Sequence, residues 1–194
     1  LYIMAVIDYF TKWLELFPLR NIQTTTVADK LTTHIISRYG VPEQIHSDQG
    51  SQFESDLFQD LCRTLHIHKT RTTLYHPQCD GLVERSNRTV QNILKAYTND
   101  TQSDWDKHLR TTMLAYNTSV HSTTGFTPYF LMFGREATLP LHLMYPLPQP
   151  HAPQPITTFV TDLQARLQTS FDTVRQHTDQ HHKYSKDRYD LKAT

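Results

Sequence analysis

The chain has 194 residues, of which 38% are hydrophobic and 20% charged, so it can bury the core of one domain with an appendage. This composition excludes wholesale disorder, and two cysteines are too few for a disulfide scaffold. The apolar run at residues 1–7 ends at Asp8, lacks a basic leader and is too short for a signal peptide or a membrane span. We therefore expect no signal peptide and no membrane partner.

The formal net charge of zero conceals an uneven distribution of charge along the chain. Residues 1–60 carry 4 basic and 8 acidic side chains, whereas residues 61–97 carry 6 basic and 2 acidic side chains. An acidic segment followed by a basic one suits a site that holds cations and binds a polyanion. Ordinary surface variation explains the same counts, so charge alone assigns no function.

The hydrophobic pattern predicts strands that alternate with helices. Residues 1–7 form an apolar run typical of a strand buried on both faces, and residues 12–19 alternate as expected for a hairpin partner. The later predicted elements are a helix over 24–39, a strand over 44–46, a helix over 54–65, a strand over 67–72, and helices over 82–97, from 103, and over 126–133. This order predicts a mixed α/β sheet flanked by helices.

The last third of the chain has a different character. Six prolines between residues 140 and 155 predict a semi-rigid linker, and residues 156–189 predict a long polar helix. Its apolar stripe is thin, which indicates docking or self-association rather than an independent core. The predicted organisation is therefore a core domain over 1–139, a linker over 140–155 and a polar helix within 156–194.

Two carboxylates stand where elements of an α/β fold end or begin. Asp48 follows a predicted strand, and Glu84 lies in the first turn of a predicted helix, with 35 residues between them. Carboxylates from such positions can converge on divalent cations, and two-metal sites catalyse phosphoryl transfer. By themselves these acids are better explained structurally, Asp48 by a turn before Gly50 and Glu84 by the helix dipole.

The residues around both acids carry a more specific pattern. Residues 47–53 read SDQGSQF, and residues 75–89 read YHPQCDGLVERSNRT. The pattern continues as VIDYFTKW at 6–13, AYN at 115–117, HSTTGFTP at 121–128 and FGR at 133–135. Together these strings closely resemble the catalytic core of retroviral-type integrases, and most closely that of gypsy-type LTR retrotransposons, over about residues 1–140.

The resemblance implies an RNase H-like fold and a D,D(35)E triad that binds two Mg²⁺ or Mn²⁺ ions. In such integrases the triad processes DNA 3′ ends and joins them to target DNA. Asp48 matches the second carboxylate of the triad and Glu84 the third. The implied partners are the DNA ends of the element, the target DNA and further copies of the protein. The implied localisation is nuclear during action on chromosomal DNA and otherwise a cytoplasmic particle.

The first carboxylate of the triad has no clear match in this sequence. In the family it lies on a central strand before the VIDYFTKW-like segment, which implies that this chain begins just after that strand. Asp8 is the less favoured candidate, and a structural role at the end of the strand is the favoured one. Because the missing strand would lie between the first visible strand and that of Asp48, we expect a gap in the sheet and a less stable, inactive core.

The helix of Glu84 is the predicted DNA-binding element. Glu84, Arg88, Gln91 and Lys95 share one face of this helix. We expect Arg88 and Lys95 to contact phosphates, Asn87 and Gln91 to contact bases or sugars, and Tyr75 to lie against the DNA end. Cys62, His66, His68 and Cys79 do not have a zinc-site spacing, so no zinc site is expected in this chain.

Three functions remain open from the sequence. The favoured one is the metal-dependent polynucleotidyl transferase core of an integrase, although enzymatic activity of this chain itself depends on a first carboxylate. The second is a non-catalytic, integrase-derived DNA-binding or chromatin-binding protein, which needs the basic helix but not three acids. The third is an oligomerisation module built on the polar helix at 156–189.

Overall fold

The computed structural model describes residues 1–72, 77–99, 104–144 and 155–193; for 77–84, 143 and 188–193 it describes the backbone only. The chain divides into two compact units. The first comprises residues 1–6 and 15–112, and the second comprises residues 7–14 and 113–194. The two predicted acids, Asp48 and Glu84, both belong to the first unit.

The strands of the described residues form two separate two-stranded sheets. Strand β1 (Tyr2–Ile7) pairs with β2 (Leu14–Leu19), and their short connection makes the pair a hairpin rather than a parallel crossover. Strand β3 (Gln44–Ser47) pairs in parallel with β4 (His68–Arg71). Among the described residues no strand joins β1 to β3, so the expected gap lies where the resemblance implies a central strand.

The core of the first unit forms where helices cover these strands. The predicted helix over 24–39 consists of α1 (Thr24–Lys30) and α2 (Ser37–Tyr39), joined by a π-helical segment (Leu31–Ile36). Helix α3 (Ser51–Glu54) is short, and Ser55 caps α4 (Asp56–Thr64). The buried core comprises Met4, Phe17, Leu19, Val27, Leu31, Ile35, Phe58, Cys62 and Ile67.

Helix α5 (Pro77–Tyr97) begins five residues earlier than the sequence predicted. Pro77 and Gly81 are residue types typical of loops, but proline is well tolerated in the first turn of a helix, where a backbone N–H has no helical acceptor. Helix α6 (Trp105–Asn117) follows, and residue 103, where the sequence predicts its start, lies outside the described residues. Helix α7 (Pro128–Phe133) is capped by the Thr127 hydroxyl and ends at Gly134 in the left-handed conformation.

The second unit is built around α9 (Ile156–Ala193), which is slightly longer than predicted. Before it, part of the predicted linker forms the short helix α8 (Pro140–Met144), and residues 145–154 lie outside the described residues. The apolar stripe of α9 packs within this unit: Val174 is fully buried and the Phe171 ring lies 5.3 Å from that of Phe10. None of the helices that the structure describes is apolar over a length that would cross a membrane.

Candidate active site

Asp48 lies at the carboxyl edge of the parallel β3–β4 pair. Ser47, the last residue of β3, is in register with Arg71, the last residue of β4, so both strands end at the same edge. The backbone ladder continues past this register, since the Thr72 amide donates to the Ser47 carbonyl at 3.0 Å. Such edges are where sites form in α/β folds. The position of Asp48 is therefore fixed by the register of the two strands.

The Asp48 side chain is exposed and forms a hydrogen bond with Gly50, the residue before α3. Its Oδ1 accepts a hydrogen bond from the Gly50 amide at 2.9 Å. A Cβ atom added at Gly50 would lie 2.9 Å from that same Oδ1 and 2.5 Å from Gln52 Nε2, which is too close. A side chain at residue 50 would displace the ends of these two side chains, so glycine allows the backbone and the carboxylate to approach each other closely. The second carboxylate oxygen points to no hydrogen-bond donor among the described residues, and a carboxylate oxygen is a ligand that Mg²⁺ prefers.

Glu84 lies on α5, and its side chain falls outside what the structure describes. The next turns of the helix are described. Ser86, Val90 and Leu94 are buried, and the spacing of four residues puts them on one face. Asn87, Arg88, Gln91 and Lys95 are all exposed. The predicted DNA-contacting side chains of α5 therefore reach solvent, whereas Tyr75 lies outside the described residues.

Asp8 belongs to the second unit and serves the turn between β1 and β2. Its Oδ1 accepts from the Thr11 amide at 2.7 Å and from the Thr11 hydroxyl at 2.6 Å. The Asp8 amide donates to the Trp13 carbonyl at 2.9 Å, which closes the turn. Among the side chains that the structure describes, no three His, Cys, Asp or Glu residues cluster as metal ligands. The contacts of Asp8 thus account for this residue without a metal.

The cysteines and histidines that were considered for zinc have separate environments. Cys62 is a buried member of the apolar core, and His68 is exposed on β4. Burial raises the pKa of the Cys62 thiol, which the nearby Lys69 ammonium partly opposes. The side chain of Cys79 lies outside the described residues. Cys62 is therefore used as a small apolar side chain, as a buried cysteine commonly is.

Sequence reasoning missed an ion-pair cluster next to Asp48. Glu54, the last residue of α3, pairs with Arg71 at 3.2 Å and with Lys69 at 3.7 Å. Lys69 and Arg71 are two residues apart on β4, so both side chains project from the same face of the strand. That spacing was visible in the sequence, but the partner on α3 was not.

Comparison with known proteins identifies the domain. Residues 1–77 match the family model described as "Integrase core domain". The chain carries an integrase core domain. It is 30% identical over 195 residues to the retrovirus-related Pol polyprotein from transposon 412 of Drosophila melanogaster, covering 99% of this chain. It is 37% identical over 168 residues to the Pol polyprotein of feline endogenous virus ECE1, covering 86% of this chain. The chain spans 15% of the length of each polyprotein.

Solved structures show the same relationship for the fold. The catalytic core domain of BIV integrase is 27% identical, with a TM-score of 0.57, and the match covers 74% of this chain and 89% of that one. The HTLV-2 integrase catalytic core domain in complex with magnesium, in a trimeric form, is 25% identical with a TM-score of 0.53; the match covers 66% of this chain and 81% of that one. The expected RNase H-like α/β fold of an integrase core is therefore confirmed.

Proposed function

We propose that this chain is the core of a retroelement integrase that processes DNA 3′ ends and joins them to target DNA. The observation that carries the proposal is Asp48, an exposed carboxylate held by Gly50 at the carboxyl edge of β3 within the matched domain. The 35-residue interval to Glu84 supports the same reading, because it equals the interval of the family triad. DNA integration is thus the activity that this domain would contribute to a longer polyprotein.

Asp48 and Glu84 would hold two Mg²⁺ or Mn²⁺ ions. The hydrogen bond from the Gly50 amide to Oδ1 restricts the rotation of the Asp48 carboxylate, whose side chain is exposed. When bound, paired divalent ions activate an attacking water or 3′-hydroxyl and stabilise the leaving oxygen of a phosphodiester. The contribution of the described residues is to orient the Asp48 carboxylate before DNA arrives, so that little reorganisation of this group is needed during the reaction.

The first carboxylate of the triad is proposed to lie on a strand before Leu1, paired with the edge of β1 that faces away from β2. Asp8 is the weaker candidate, because its Oδ1 already accepts two hydrogen bonds from Thr11. A strand at this edge would cover apolar side chains of β1, where Tyr2 and Ile3 are 51% and 39% exposed. It would also supply the partner that an open sheet edge lacks.

The exposed face of α5 is the proposed DNA interface. Arg88 and Lys95 are suited to phosphates, and Asn87 and Gln91 to bases or sugars. Tyr75 is proposed to lie against the DNA end. The further proposed partners are additional copies of the protein, since the similar HTLV-2 integrase core has been solved in a trimeric form. Action on chromosomal DNA would make the protein nuclear.

We expect Arg88→Gln and Lys95→Gln each to weaken DNA binding by a similar factor whatever the sequence of the DNA. Each removes one phosphate contact, so the slope of log affinity against log salt concentration should fall by about 1 per substitution. Fluorescence anisotropy with a labelled duplex at several salt concentrations measures both quantities. Arg110→Gln, which removes an exposed arginine of α6, is the matched control and should leave the slope unchanged. An unchanged slope in both α5 variants would exclude this helix from the interface.

The metal dependence of strand joining tests the proposed function. The protein is prepared with its native upstream sequence and incubated with a labelled donor duplex and a target duplex. We expect joined products with Mg²⁺ or Mn²⁺ and none after the divalent ions are removed with a chelator, because carboxylates alone cannot stabilise the leaving oxygen. Joining that survives metal removal would overturn the proposal.

The alternative is an integrase-derived protein that binds DNA or chromatin without catalysis. It is favoured by the exposed face of α5, which needs no carboxylate triad to bind a polyanion. This alternative predicts salt-dependent DNA binding together with no joining under any metal condition. It also predicts that the upstream native sequence contains no aspartate on a strand that pairs with β1.

A further inference from the structure

The side chain of Lys69 connects the two ends of the loop that carries Asp48. Its Nζ donates to Ser47 Oγ at 2.8 Å and to the Thr70 carbonyl at 2.9 Å. The same Nζ lies 3.7 Å from Glu54 Oε1. Ser47 immediately precedes Asp48, and Glu54 ends the short helix that follows it. One ammonium group therefore contacts the residue before the loop and the residue that closes it.

The hydroxyl of Ser47 passes this contact on to Asp48 itself. Ser47 Oγ accepts from Lys69 and donates to the Asp48 carbonyl at 2.7 Å. The direction is fixed, because an ammonium can only donate and a serine hydroxyl has one proton to give. A donor removed at Lys69 therefore frees the Ser47 hydroxyl to rotate away from the Asp48 carbonyl.

The environment of Lys69 holds its ammonium in place. The side chain is only 15% exposed, whereas that of Arg71, the other cation paired with Glu54, is 62% exposed. A lysine with so little solvent around it has few alternative rotamers, so its hydrogen bonds are better defined than those of a surface lysine. Its positive charge also acts on the interior, since it lowers the pKa of Cys62 against the effect of burial.

We propose that Lys69 is a positioning residue that sets the backbone of Asp48 through the Ser47 hydroxyl and anchors the end of α3 through Glu54. Its consequence for catalysis rests on the proposed function. Lys69 touches neither metal nor DNA in this role. It fixes the direction from which the Asp48 carboxylate reaches a divalent ion, and a displaced ligand binds the ion less tightly.

The test compares Lys69→Met with Arg71→Met in the 194-residue chain. Both variants remove one cation from Glu54, but only the first removes the donor to Ser47. Amide hydrogen exchange is followed at Thr72, which donates to the Ser47 carbonyl, and at Gly50, which donates to the Asp48 carboxylate. We expect about tenfold faster exchange at both amides in Lys69→Met and no change in Arg71→Met, as for a lost charge-assisted hydrogen bond.

Two further variants keep the test decisive. Lys69→Arg retains a donor and should restore most of the protection, while Ser47→Ala removes the relay and leaves the Lys69–Glu54 pair. Ser47→Ala should therefore raise the exchange rate of the Gly50 amide about tenfold. This result tests the relay even if Lys69→Met does not fold. Unchanged exchange in Lys69→Met and Ser47→Ala, or equal increases in Arg71→Met, would overturn the positioning role.

A metal titration links the role to the proposed function. In the protein with its native upstream sequence, Lys69→Met should raise several-fold the Mg²⁺ concentration for half-maximal joining, whereas Arg71→Met should not. If hydrogen exchange responds as expected and even the unsubstituted protein joins no DNA with any metal, the proposed function fails and the positioning of Asp48 stands. If exchange is unchanged while joining requires Mg²⁺, the positioning role fails alone.

Discussion

Glu84→Gln and Asp48→Asn should each reduce DNA strand joining by about a thousandfold or more. Either change removes a negative charge from the proposed metal site and keeps the size of the side chain. A thousandfold loss corresponds to roughly 4 kcal/mol of transition-state stabilisation, which is within the contribution of a metal site to phosphoryl transfer. Joining is measured with the protein that includes its native upstream sequence, at saturating Mg²⁺.

The fold should tolerate the same substitutions. The Asp48 side chain is exposed, and the one hydrogen bond described for it goes to Oδ1 from the Gly50 amide. An asparagine oxygen can accept that bond, so the midpoint of urea unfolding should stay within experimental error. Glu43→Gln, at an exposed carboxylate just before β3, is the matched control and should keep full activity. A Glu84→Gln variant that still joins strands would falsify the assignment of the metal site.

Asn117→Leu should lower the free energy of unfolding by about 2–6 kcal/mol. The Asn117 side chain is buried and forms two hydrogen bonds with the backbone of Leu14. Its Oδ1 accepts from the Leu14 amide and its Nδ2 donates to the Leu14 carbonyl, each at 2.9 Å. Leucine keeps the branched shape of asparagine but has methyl groups in place of its polar atoms, so two buried backbone groups are left unpaired, each costing about 1–3 kcal/mol. Urea unfolding followed by circular dichroism measures it.

A matched control separates the hydrogen bonds from the chemistry of the substitution. Asn92→Leu makes the same replacement at an exposed position of α5 and should change stability by less than about 0.5 kcal/mol. Equal effects of the two substitutions would show that the contact with Leu14 contributes nothing. Asn117 lies in the AYN string by which the sequence resembles integrases, so this prediction also assigns that string a structural role.

Local signals in the sequence were sufficient for most elements of the fold. The apolar run of β1, the helical period over 24–39 and the glycine at 134 each act within a few residues, and the structure has the corresponding strand, helix and helix end. The start of α5 was predicted at residue 82 because proline and glycine are read as loop residues. Proline can begin a helix at residue 77, because a backbone N–H in the first turn has no helical acceptor in any case.

The sequence by itself determined the chemistry that this protein can offer. It contains Asp48, Glu84 and the interval between them, and a basic helix whose predicted contact residues are exposed in the structure. Each of these features depends on residue identity and on spacing along one chain, which the sequence states directly. The same is true of Gly50, whose missing side chain admits the Asp48 carboxylate.

Only the tertiary structure decided which side chains hold the site and the fold in place. Lys69 reaches Ser47 across 22 residues, and Asn117 reaches Leu14 across 103 residues. A buried polar group must find a partner, but that partner can lie anywhere in the chain that packing brings near. The periodicity of a sequence indicates which face of an element is buried. It does not indicate which distant residue packs against that face, so these contacts can be identified only from the tertiary structure.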